Sequence, residues 1–463
     1  MLYSMAGDMT STILAWDIAR RYLRQVPRYT SYPTAPAWQP AGANVANQAL
    51  KRATQNNNAI SIYVHIPFCE RMCLYCGCNM IASKSYDKVP RYLDALLREI
   101  RMVAAHLGKR ELIQLHLGGG TPTFLTASDL ERLISSIFEY FPPTANAELS
   151  IEIDPLVTSR IQLEVLRRLG FNRLSIGVQD FSDEIQKITG RNQSAIISRQ
   201  AVSLGRELGF SSINIDLIYG LPKQTIDHIK MSTATCVELN VDRIALFGYA
   251  HLPHIKPHQK KLESYSIPNP ERRWQMFAAG RYVLQSGNYQ PIGMDHFALP
   301  IDELSIAARD GRLNRNFQGY TVLAPTDLIG LGVSAISDVG GCYIQNNHRI
   351  INYIEAIESN SFACERACIL SNEDTVRRTV IASIMCNLMV NFRDIEQKFS
   401  LDFASHFASA LNQLQSYEHD GLCLLQQNSL VVTELGRPLV RNIAMAFDAY
   451  AKNFVSAKFS SSI

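Results

Sequence analysis

The sequence predicts an α/β protein whose core is a parallel sheet of six β–α units, with a short N-terminal arm before it and a mostly helical domain after it. Short apolar runs rich in Ile, Leu and Val alternate with longer stretches of helical periodicity. This alternation favours parallel strands joined by right-handed crossovers. We predict an arm over residues 1–45, the sheet domain over 46–300 and a helical, winged-helix-like lid domain over 301–463.

The N-terminal arm contains one predicted helix and one extended segment. Residues 13–23 have the spacing of a short amphipathic helix. Residues 27–35 contain Pro27 and Pro33, which favour extended backbone over helix. The first eleven residues are predicted to be a frayed tail.

The central region contains the six apolar runs and the helices between them. The predicted strands are residues 60–66, 112–117, 148–153, 173–178, 212–218 and 243–248. The predicted helices are residues 88–106, 128–140, 158–169, 194–209 and 225–239. The apolar runs suggest strands covered on both faces, and Ser128 and Glu131 suggest a capping box at the start of the second helix. Six units are fewer than the eight of a closed barrel.

The C-terminal region begins with a predicted helix over residues 270–286 and then becomes rich in glycine. Glycines in 293–298 and 330–337 suggest backbone that passes close to a ligand. From about residue 345 the pattern is helical, with predicted helices over 373–389 and 402–415. Residues 421–436 are typical of a winged-helix hairpin, but no basic recognition helix accompanies them. We therefore interpret this region as a lid or packing domain.

Composition excludes several classes of function. With a formal net charge of +3, the overall electrostatic field of the protein gives no argument for nucleic-acid binding. No apolar run reaches the roughly 18 residues of a membrane-spanning helix, so no membrane partner is expected. Ten cysteines in a chain with no evident signal peptide indicate a reducing compartment, and we predict a cytoplasmic location.

The strongest functional signal is a group of four cysteines, spaced C-x3-C-x2-C-x-C from Cys69 to Cys78. It follows the strand over 60–66 and Pro67, so it lies on a loop at the carboxyl end of a strand. Thiolates this close together favour a soft metal or an iron–sulfur cluster. Structural zinc is the alternative, although it usually takes two separated ligand pairs. Cys364 and Cys368 repeat the first spacing without a third cysteine and are interpreted as structural thiols.

This loop resembles the signature of the radical S-adenosylmethionine (SAM) superfamily. The flanking residues 63–69 and the extra Cys78 narrow the resemblance to the oxygen-independent coproporphyrinogen III oxidase family of haem biosynthesis. The resemblance implies an open, three-quarter (β/α)6 barrel. It also implies a [4Fe–4S] cluster whose protein ligands are Cys69, Cys73 and Cys76, with SAM on the fourth iron.

Polar residues follow the carboxyl ends of the predicted strands, and this rim of a parallel barrel is where active sites lie. Glu152 suits a cationic group, Arg191 suits the methionine carboxylate, and Asp216 suits the ribose hydroxyls. Tyr63 and Cys78 are the predicted catalytic residues. By resemblance, the SAM-binding residues are Tyr63, Tyr75, Gly119, Gly120, Thr121, Glu152, Gln179, Arg191, Asp216 and Ala250. By the same resemblance, Gln318 and Ile336 contact a second SAM molecule.

The resemblance implies oxidative decarboxylation of the ring A and ring B propionates of coproporphyrinogen III to vinyl groups, giving protoporphyrinogen IX. Cleavage of SAM supplies a radical that takes a hydrogen from the propionate β-carbon, and CO2 and one electron are then lost. The implied partners are a low-potential donor such as flavodoxin or ferredoxin and an unknown terminal electron acceptor; the chain is expected to be a monomer. The alternatives are a radical SAM haem-trafficking chaperone, or an iron–sulfur or zinc module that senses rather than catalyses.

The substrate carries four carboxylates, so its pocket needs fixed cations. The predicted rim offers few cationic side chains once Arg191 is assigned to SAM. We therefore predict that Arg28 pairs with a propionate while Tyr29 and Tyr32 stack on pyrrole rings. On this hypothesis residues 20–35 become ordered when the substrate binds.

Overall fold

The computed structural model describes residues 16–56, 58–324 and 327–451. The predicted N-terminal tail and the first residues of the predicted helix over 13–23 lie outside these ranges. Within the described ranges, no helix is both long enough and apolar enough to cross a membrane.

The described strands include all six that the sequence predicts. In chain order the strands are β1 (Gln39–Pro40), β2 (Ile60–Ile66), β3 (Phe68–Cys69), β4 (Ile81–Ala82), β5 (Leu112–Gly119), β6 (Pro143–Ile153), β7 (Arg173–Gln179), β8 (Ser212–Tyr219), β9 (Arg243–Gly248), β10 (Gln290–Ile292), β11 (His296–Ala298), β12 (Asn314–Asn316), β13 (Gly319–Thr321), β14 (Asp327–Leu331), β15 (Ile336–Val339), β16 (Cys342–Asn346), β17 (Cys364–Ile369), β18 (Met389–Asn391), β19 (Cys423–Gln426) and β20 (Ser429–Val432).

The helices cover the outside of the sheet and build most of the C-terminal region. In chain order the α-helices are α1 (Trp16–Tyr22), α2 (Ala43–Ala53), α3 (Val89–Leu107), α4 (Ala127–Tyr140), α5 (Arg160–Arg168), α6 (Asp183–Ile188), α7 (Ala195–Glu207), α8 (Ile226–Glu238), α9 (Pro270–Ser286), α10 (Glu303–Arg309), α11 (Ile350–Glu358), α12 (Asn372–Asn387), α13 (Phe392–Phe399), α14 (Phe403–His406), α15 (Ala408–His419) and α16 (Val440–Met445). Short 3-10 helices lie at Ala35–Ala37, Pro122–Phe124, Pro257–Ser264 and Arg437–Leu439.

One large open sheet organises the molecule. Its order is β1-β17-β16-β15-β14-β2-β5-β6-β7-β8-β9-β11-β10. The six predicted strands, β2 and β5 to β9, are neighbours in this order and are all parallel. Beyond β2, β14 adds a seventh parallel strand, and the strands beyond it are antiparallel. The predicted α/β fold with an open parallel barrel and a helical C-terminal region is confirmed.

Strand β8 shows how the two faces of the barrel sheet differ, with an apolar face under the helices and a polar face on the other side. On β8, Ile213, Ile215 and Leu217 are fully buried. The residues between them, Asn214 and Asp216, are half-buried and point to the other face. That face is the barrel interior, where polar side chains hydrogen-bond between strands. The barrel therefore encloses a polar space, although its outer face is packed under helices.

Two local predictions are also corrected. Helix α4 is capped by Thr126, whose hydroxyl accepts from the Asp129 N–H at 3.2 Å, rather than by a capping box from Ser128 to Glu131. The residues from about 345 to 369 are not simply helical, because β16 and β17 extend the main sheet there. The sheet therefore runs across the predicted domain boundary at residue 300, and the division into domains stays a prediction.

The C-terminal region forms a separate small sheet with helices around it. Strands β18, β20 and β19 pair in that order, which agrees with the predicted hairpin and adds a third strand. The N-terminal arm packs against this region: the Tyr22 ring lies 4.5 Å from the Tyr417 ring, and the Tyr22 hydroxyl donates to Asp420 at 2.5 Å. Contacts within the chain thus account for the position of the arm.

Candidate active site

Backbone hydrogen bonds fix the cysteine loop at its start and in its middle. It leaves β3, which pairs in parallel with β4. The Ser83 N–H donates to the Cys69 carbonyl at 2.8 Å, and the Leu74 N–H donates to the Thr189 carbonyl at 2.9 Å. The loop is therefore ordered by its own backbone, as a site that must hold several ligands at fixed positions requires.

A segment after β9, which was not predicted to contribute to the site, supports the loop from its other side. The supporting contacts are Lys256 Nζ to the Cys78 carbonyl at 2.8 Å, His258 Nε2 to the Cys76 carbonyl at 2.9 Å, and Gln259 Nε2 to the Tyr75 carbonyl at 2.9 Å. No motif marks these residues. Only their position after the last barrel strand, at the same rim, would have suggested them.

The three predicted cluster ligands are half-buried, whereas Cys78 is exposed. Cys69 Sγ lies 3.3 Å from the Thr121 hydroxyl. Burial raises the pKa of the Cys69 thiol to about 12, while a hydrogen bond with the Cys78 thiol lowers the pKa of Cys76 to about 7. Among the described residues, no three His, Cys, Asp or Glu side chains converge on one metal ion. A four-iron cluster does not need such convergence, because each thiolate binds a different iron.

Glu152 provides a fixed negative charge beside the cysteine loop. Its carboxylate accepts from the Gly119 N–H at 3.2 Å and lies 3.2 Å from His116 Nε2. Burial raises its pKa, but the hydrogen bond and charge of His116, with the Gly119 N–H, outweigh burial and bring the pKa below its usual value. Glu152 is therefore ionised at neutral pH and suits a cationic group such as an amine.

The glycine loop after β5 packs directly on the strand that leads into the cysteine loop. At Gly119, which has a φ of 112°, an added Cβ would lie 2.7 Å from the His65 ring. At Gly120, an added Cβ would lie 2.8 Å from backbone atoms of Pro67 and Phe68. These glycines are therefore required by packing within the protein, in addition to the predicted approach of a ligand.

We expect the substitution Gly120→Ala to loosen the cysteine loop, because the new methyl group meets backbone that cannot rotate away. Overpacking of this kind costs about 1–3 kcal/mol. The matched control is Gly77→Ala in the cysteine loop itself, where an added Cβ meets nothing within 4 Å. Urea unfolding of the two apoproteins and iron content after reconstitution measure the effect. Equal stability and iron retention in both variants would contradict it.

Arg191 connects the cysteine loop to the barrel. Its Nη1 lies 3.1 Å from the Tyr75 hydroxyl and 3.8 Å from Cys73 Sγ, and its Nη2 donates to the Gly177 carbonyl at 2.5 Å. Asp154 lies 3.8 Å away and also pairs with Arg71 at 2.7 Å. The guanidinium is thus fixed in orientation beside the predicted cluster, which suits it to a carboxylate ligand.

Asp216 lies in the barrel interior, on the same face as Ser175 and Asn214. Asn214 Nδ2 donates to it at 2.8 Å, and the Ser175 hydroxyl lies 3.3 Å away. Burial, then the charge of Glu152, raises the pKa of Asp216 to about 6. The amide oxygen of Asn214 is buried with no hydrogen-bond partner among the described residues. A polar ligand is therefore expected at this position.

Tyr63, a predicted catalytic residue, belongs to a hydrogen-bonded group that also contains two histidines. Its hydroxyl lies 3.1 Å from His65 Nδ1, and its ring stacks on His116 at 6.0 Å. His65 Nε2 contacts the Asn79 carbonyl, at the end of the cysteine loop, at 2.8 Å. Neither histidine was predicted as a site residue. His65 lies two residues after Tyr63 on β2, and His116 lies opposite Tyr63 on β5, so the alternation of side chains along a strand is the signal that would have found them.

The remaining predicted SAM residues lie at the same rim. Thr121 is buried, and its N–H donates to the Phe68 carbonyl at 2.8 Å. Gln179 ends β7 with a φ of 71°, in the left-handed region. The Ala250 carbonyl, just after β9, accepts from Gln259 at 3.2 Å. Most residues of the predicted first SAM site thus come from the carboxyl half of a barrel strand or from the segment that follows it, whereas Tyr63 lies in the middle of β2 and Arg191 follows α6.

Gln318 is the predicted second-site residue with the clearest structural support. It lies in the turn between β12 and β13, and its side-chain nitrogen and oxygen are both buried without a hydrogen-bond partner among the described residues. Such groups are costly unless something else binds them. Ile336 is half-buried at the start of β15. A polar ligand beside Gln318 would satisfy both orphaned atoms.

The structure corrects two expectations about the substrate residues. Tyr29 and Tyr32 are buried: the Tyr29 hydroxyl donates to Asp448 at 3.0 Å, and the Tyr32 hydroxyl accepts from the Ala449 N–H at 3.0 Å. They anchor the arm rather than offer open rings for stacking. The rim also carries more cations than expected, because Arg273 and Arg315 lie near the exposed Arg28.

The fold and this site define the class of protein. Residues 63–234 match the family model described as the Radical SAM superfamily, and residues 370–439 match the HemN C-terminal domain. The chain is therefore a radical SAM enzyme, and the family's [4Fe–4S] cluster and SAM fit the thiols, the ionised Glu152 and the fixed Arg191 described above.

Full-length relatives identify the family within this class. The chain is 43% identical to the oxygen-independent coproporphyrinogen III oxidase of Escherichia coli, covering 94% of this chain and 96% of that protein. It is 41% identical to the protein of the same name in Pseudomonas aeruginosa, covering 96% and 97%. The solved structure of coproporphyrinogen III oxidase (HemN) from Escherichia coli superposes with a TM-score of 0.90, at 43% identity, and covers 94% of this chain and 99% of that one. This chain belongs to the oxygen-independent coproporphyrinogen III oxidase family.

Proposed function

We propose that this chain oxidatively decarboxylates the ring A and ring B propionates of coproporphyrinogen III, giving protoporphyrinogen IX. The observation that carries the proposal is the set of three half-buried thiols, Cys69, Cys73 and Cys76, fixed at the carboxyl rim of an open parallel barrel. The relatives named above are oxidases and match nearly the whole chain. The alternatives of a haem-trafficking chaperone and of a sensing module receive no such support.

Each residue of the site has a defined task. When bound, the reduced cluster and SAM supply a radical that removes one hydrogen atom from a propionate side chain. Cys69, Cys73 and Cys76 hold the cluster, Glu152 binds the methionine amino group, and Arg191 binds the methionine carboxylate. Further contacts come from Tyr63, Tyr75, Gly119, Gly120, Thr121, Gln179, Asp216 and Ala250.

Tyr63 and Cys78 are proposed to act at the substrate. Both lie beside the predicted cluster ligands, and the Cys78 N–H points to Cys76 Sγ at 3.4 Å. Burial and the charge of Glu152 raise the pKa of Tyr63 well above its usual value, so the phenol keeps its proton and remains a hydrogen-bond donor. The wider assignment includes a cytoplasmic, monomeric protein, a low-potential donor such as flavodoxin or ferredoxin, and a terminal electron acceptor that is not identified.

Product analysis tests the proposed function. Reconstituted protein, reduced under anaerobic conditions and supplied with SAM, coproporphyrinogen III and a one-electron acceptor for the electron that leaves the substrate, should give protoporphyrinogen IX and release CO2. Methionine and 5′-deoxyadenosine should form in parallel. Cleavage of SAM without conversion of the porphyrinogen would contradict the assignment of the substrate, and no cleavage of SAM would contradict the assignment of the chemistry.

The pKa of Asp216 predicts how SAM affinity depends on pH. The ionised carboxylate accepts hydrogen bonds from ribose hydroxyls, whereas the protonated acid accepts them poorly. Because the pKa is about 6, affinity should be constant above pH 7 and should fall about tenfold by pH 5. Isothermal titration of SAM into the protein across this pH range measures the affinity. In Asp216→Asn the fall should be absent; an equally steep profile in that variant would assign it to another group.

The second SAM site predicts a change in binding stoichiometry. We propose that Gln318 and Ile336 contact a second SAM molecule, because the side-chain amide of Gln318 is buried and has no hydrogen-bond partner in the described part of the chain. Equilibrium dialysis should give two SAM molecules per wild-type chain and one per Gln318→Ala chain, with iron content unchanged. The neighbouring half-buried Asn314 provides a control variant, Asn314→Ala, which should still bind two. One molecule per wild-type chain would contradict the second site.

A further inference from the structure

Four arginines from four different parts of the chain meet beside the barrel rim. This arginine cluster contains Arg28 of the N-terminal arm, Arg273 of α9, Arg315 of β12 and Arg441 of α16. Two of them are tied to the arm: Arg315 Nη1 donates to the Arg28 carbonyl at 2.8 Å, and Arg441 Nη1 donates to the Val26 carbonyl at 3.3 Å. Since the members are far apart in sequence, no motif reveals the cluster.

The cluster lies at the end of the barrel that holds the active site. An added Cβ at Gly220, just after β8, would lie 2.9 Å from Arg273 Nε. An added Cβ at Gly248, the last residue of β9, would lie 3.1 Å from Arg273 Nη2. The guanidinium thus lies over the carboxyl ends of two strands, one of which carries Asp216. The arginine cluster and the predicted SAM site share one rim.

Two members of the cluster, Arg273 and Arg315, have donor groups that nothing in the described residues accepts from. The Nε–H groups of Arg273 and Arg315 are buried with no hydrogen-bond partner among the described residues. Asp295, whose charge reaches the cluster, already pairs with His296 at 2.7 Å. Burial, and then repulsion by Arg28, lowers the pKa of Arg441 to about 10. Bringing guanidinium groups together in this way is costly unless anions bind them.

A guanidinium matches a carboxylate in shape and charge, because its planar donors can make two parallel hydrogen bonds. We propose that the arginine cluster binds carboxylates of the tetracarboxylate macrocycle that do not react, and so seats the substrate between the N-terminal arm and the barrel rim. This inference rests on the proposed function for the identity of the macrocycle.

The chemistry explains why the cluster holds carboxylates that stay intact. A carboxylate that leaves as CO2 loses its negative charge during the reaction. Cations paired with it would stabilise the starting state more than the departing CO2 and would slow the step. Cations on remote carboxylates bind the starting and transition states equally, so their loss raises KM and leaves kcat nearly unchanged.

The test compares Arg273→Gln with Arg272→Gln in the reconstituted holoenzyme. Arg272 is the adjacent residue of α9 and is exposed. Among the described residues its guanidinium contacts only Gln275, at 3.3 Å, so Arg272→Gln is a matched control for the loss of one positive charge. In Arg273→Gln we expect KM for coproporphyrinogen III to rise at least tenfold and kcat to change less than threefold. In Arg272→Gln both should match the wild type.

A binding measurement separates this inference from the proposed function, because it does not need turnover. The probe is coproporphyrin III, the stable oxidised tetracarboxylic acid, compared with its tetramethyl ester, which has no charge. The wild type should bind the acid at least tenfold more tightly than the ester, and Arg273→Gln should lose most of this preference. Arg315→Gln is the second variant. Wild-type preference for the acid in both, with unchanged KM, would overturn the inference, whether or not the protein proves to be an oxidase.

Discussion

Replacing Cys69, Cys73 or Cys76 with Ala is expected to abolish the activity, with a fall of at least about 1,000-fold, or roughly 4 kcal/mol in transition-state stabilisation. Each thiolate supplies the protein ligand of a different iron, so the loss of one leaves that iron open. The loop cannot supply a substitute easily, because backbone hydrogen bonds at Cys69 and Leu74 fix its path. Iron content and visible absorption after anaerobic reconstitution are the measurements.

Cys78 provides the matched control within the same loop. It is exposed and lies only two residues after Cys76, too close to serve the fourth iron while SAM binds it. We predict that Cys78→Ser keeps a full cluster and still cleaves SAM, but does not decarboxylate the substrate. A full cluster in all three alanine variants would refute the assignment of the ligands. Normal turnover by Cys78→Ser would show that Cys78 is only structural.

The barrel could be predicted from the sequence because its strands have a strong local signal. Strands β2 and β9 begin and end at the predicted residues, and β5, β7 and β8 end within two residues of the predicted positions. Apolar side chains at every second position must be buried under the helices, which determines where each strand lies. Strand β14 was not predicted, because its pairing with β2 joins segments far apart in the sequence and no local pattern indicates it.

The candidate site could be predicted where a residue belongs to a continuous motif or follows a predicted strand. The cysteine loop and the glycine loop are continuous motifs, and the polar strand ends were found from the positions of the strands. Two other features arise from tertiary packing alone. One is the support of the cysteine loop by Lys256, His258 and Gln259, and the other is the arginine cluster that includes Arg273 and Arg441. For Tyr29 and Tyr32 the sequence suggested stacking on the substrate, because it could not show that residues of the C-terminal segment bury both side chains.

Replacing Arg191 with Ala is expected to weaken SAM binding at least about 30-fold, because truncating one member of a buried, hydrogen-bonded charge pair costs roughly 2–5 kcal/mol. The iron–sulfur cluster should still form in this variant. The cysteine loop keeps its backbone hydrogen bonds and its contacts with His258 and Gln259, none of which depends on Arg191. Lysine should not replace arginine, since a single ammonium cannot reach Gly177 and Tyr75 at once.

Arg71→Ala is the matched control for Arg191. Arg71 pairs with the same carboxylate, Asp154, at 2.7 Å, but its side chain is 28% exposed, against 8% for Arg191. Its loss removes one positive charge near the loop and leaves the guanidinium of Arg191 in place. Isothermal titration of SAM into each reconstituted variant gives the comparison, and iron content shows whether the cluster is intact. If Arg191→Ala lost its iron, Arg191 would act by holding the loop; if it bound SAM as tightly as Arg71→Ala, the carboxylate of SAM would lie elsewhere.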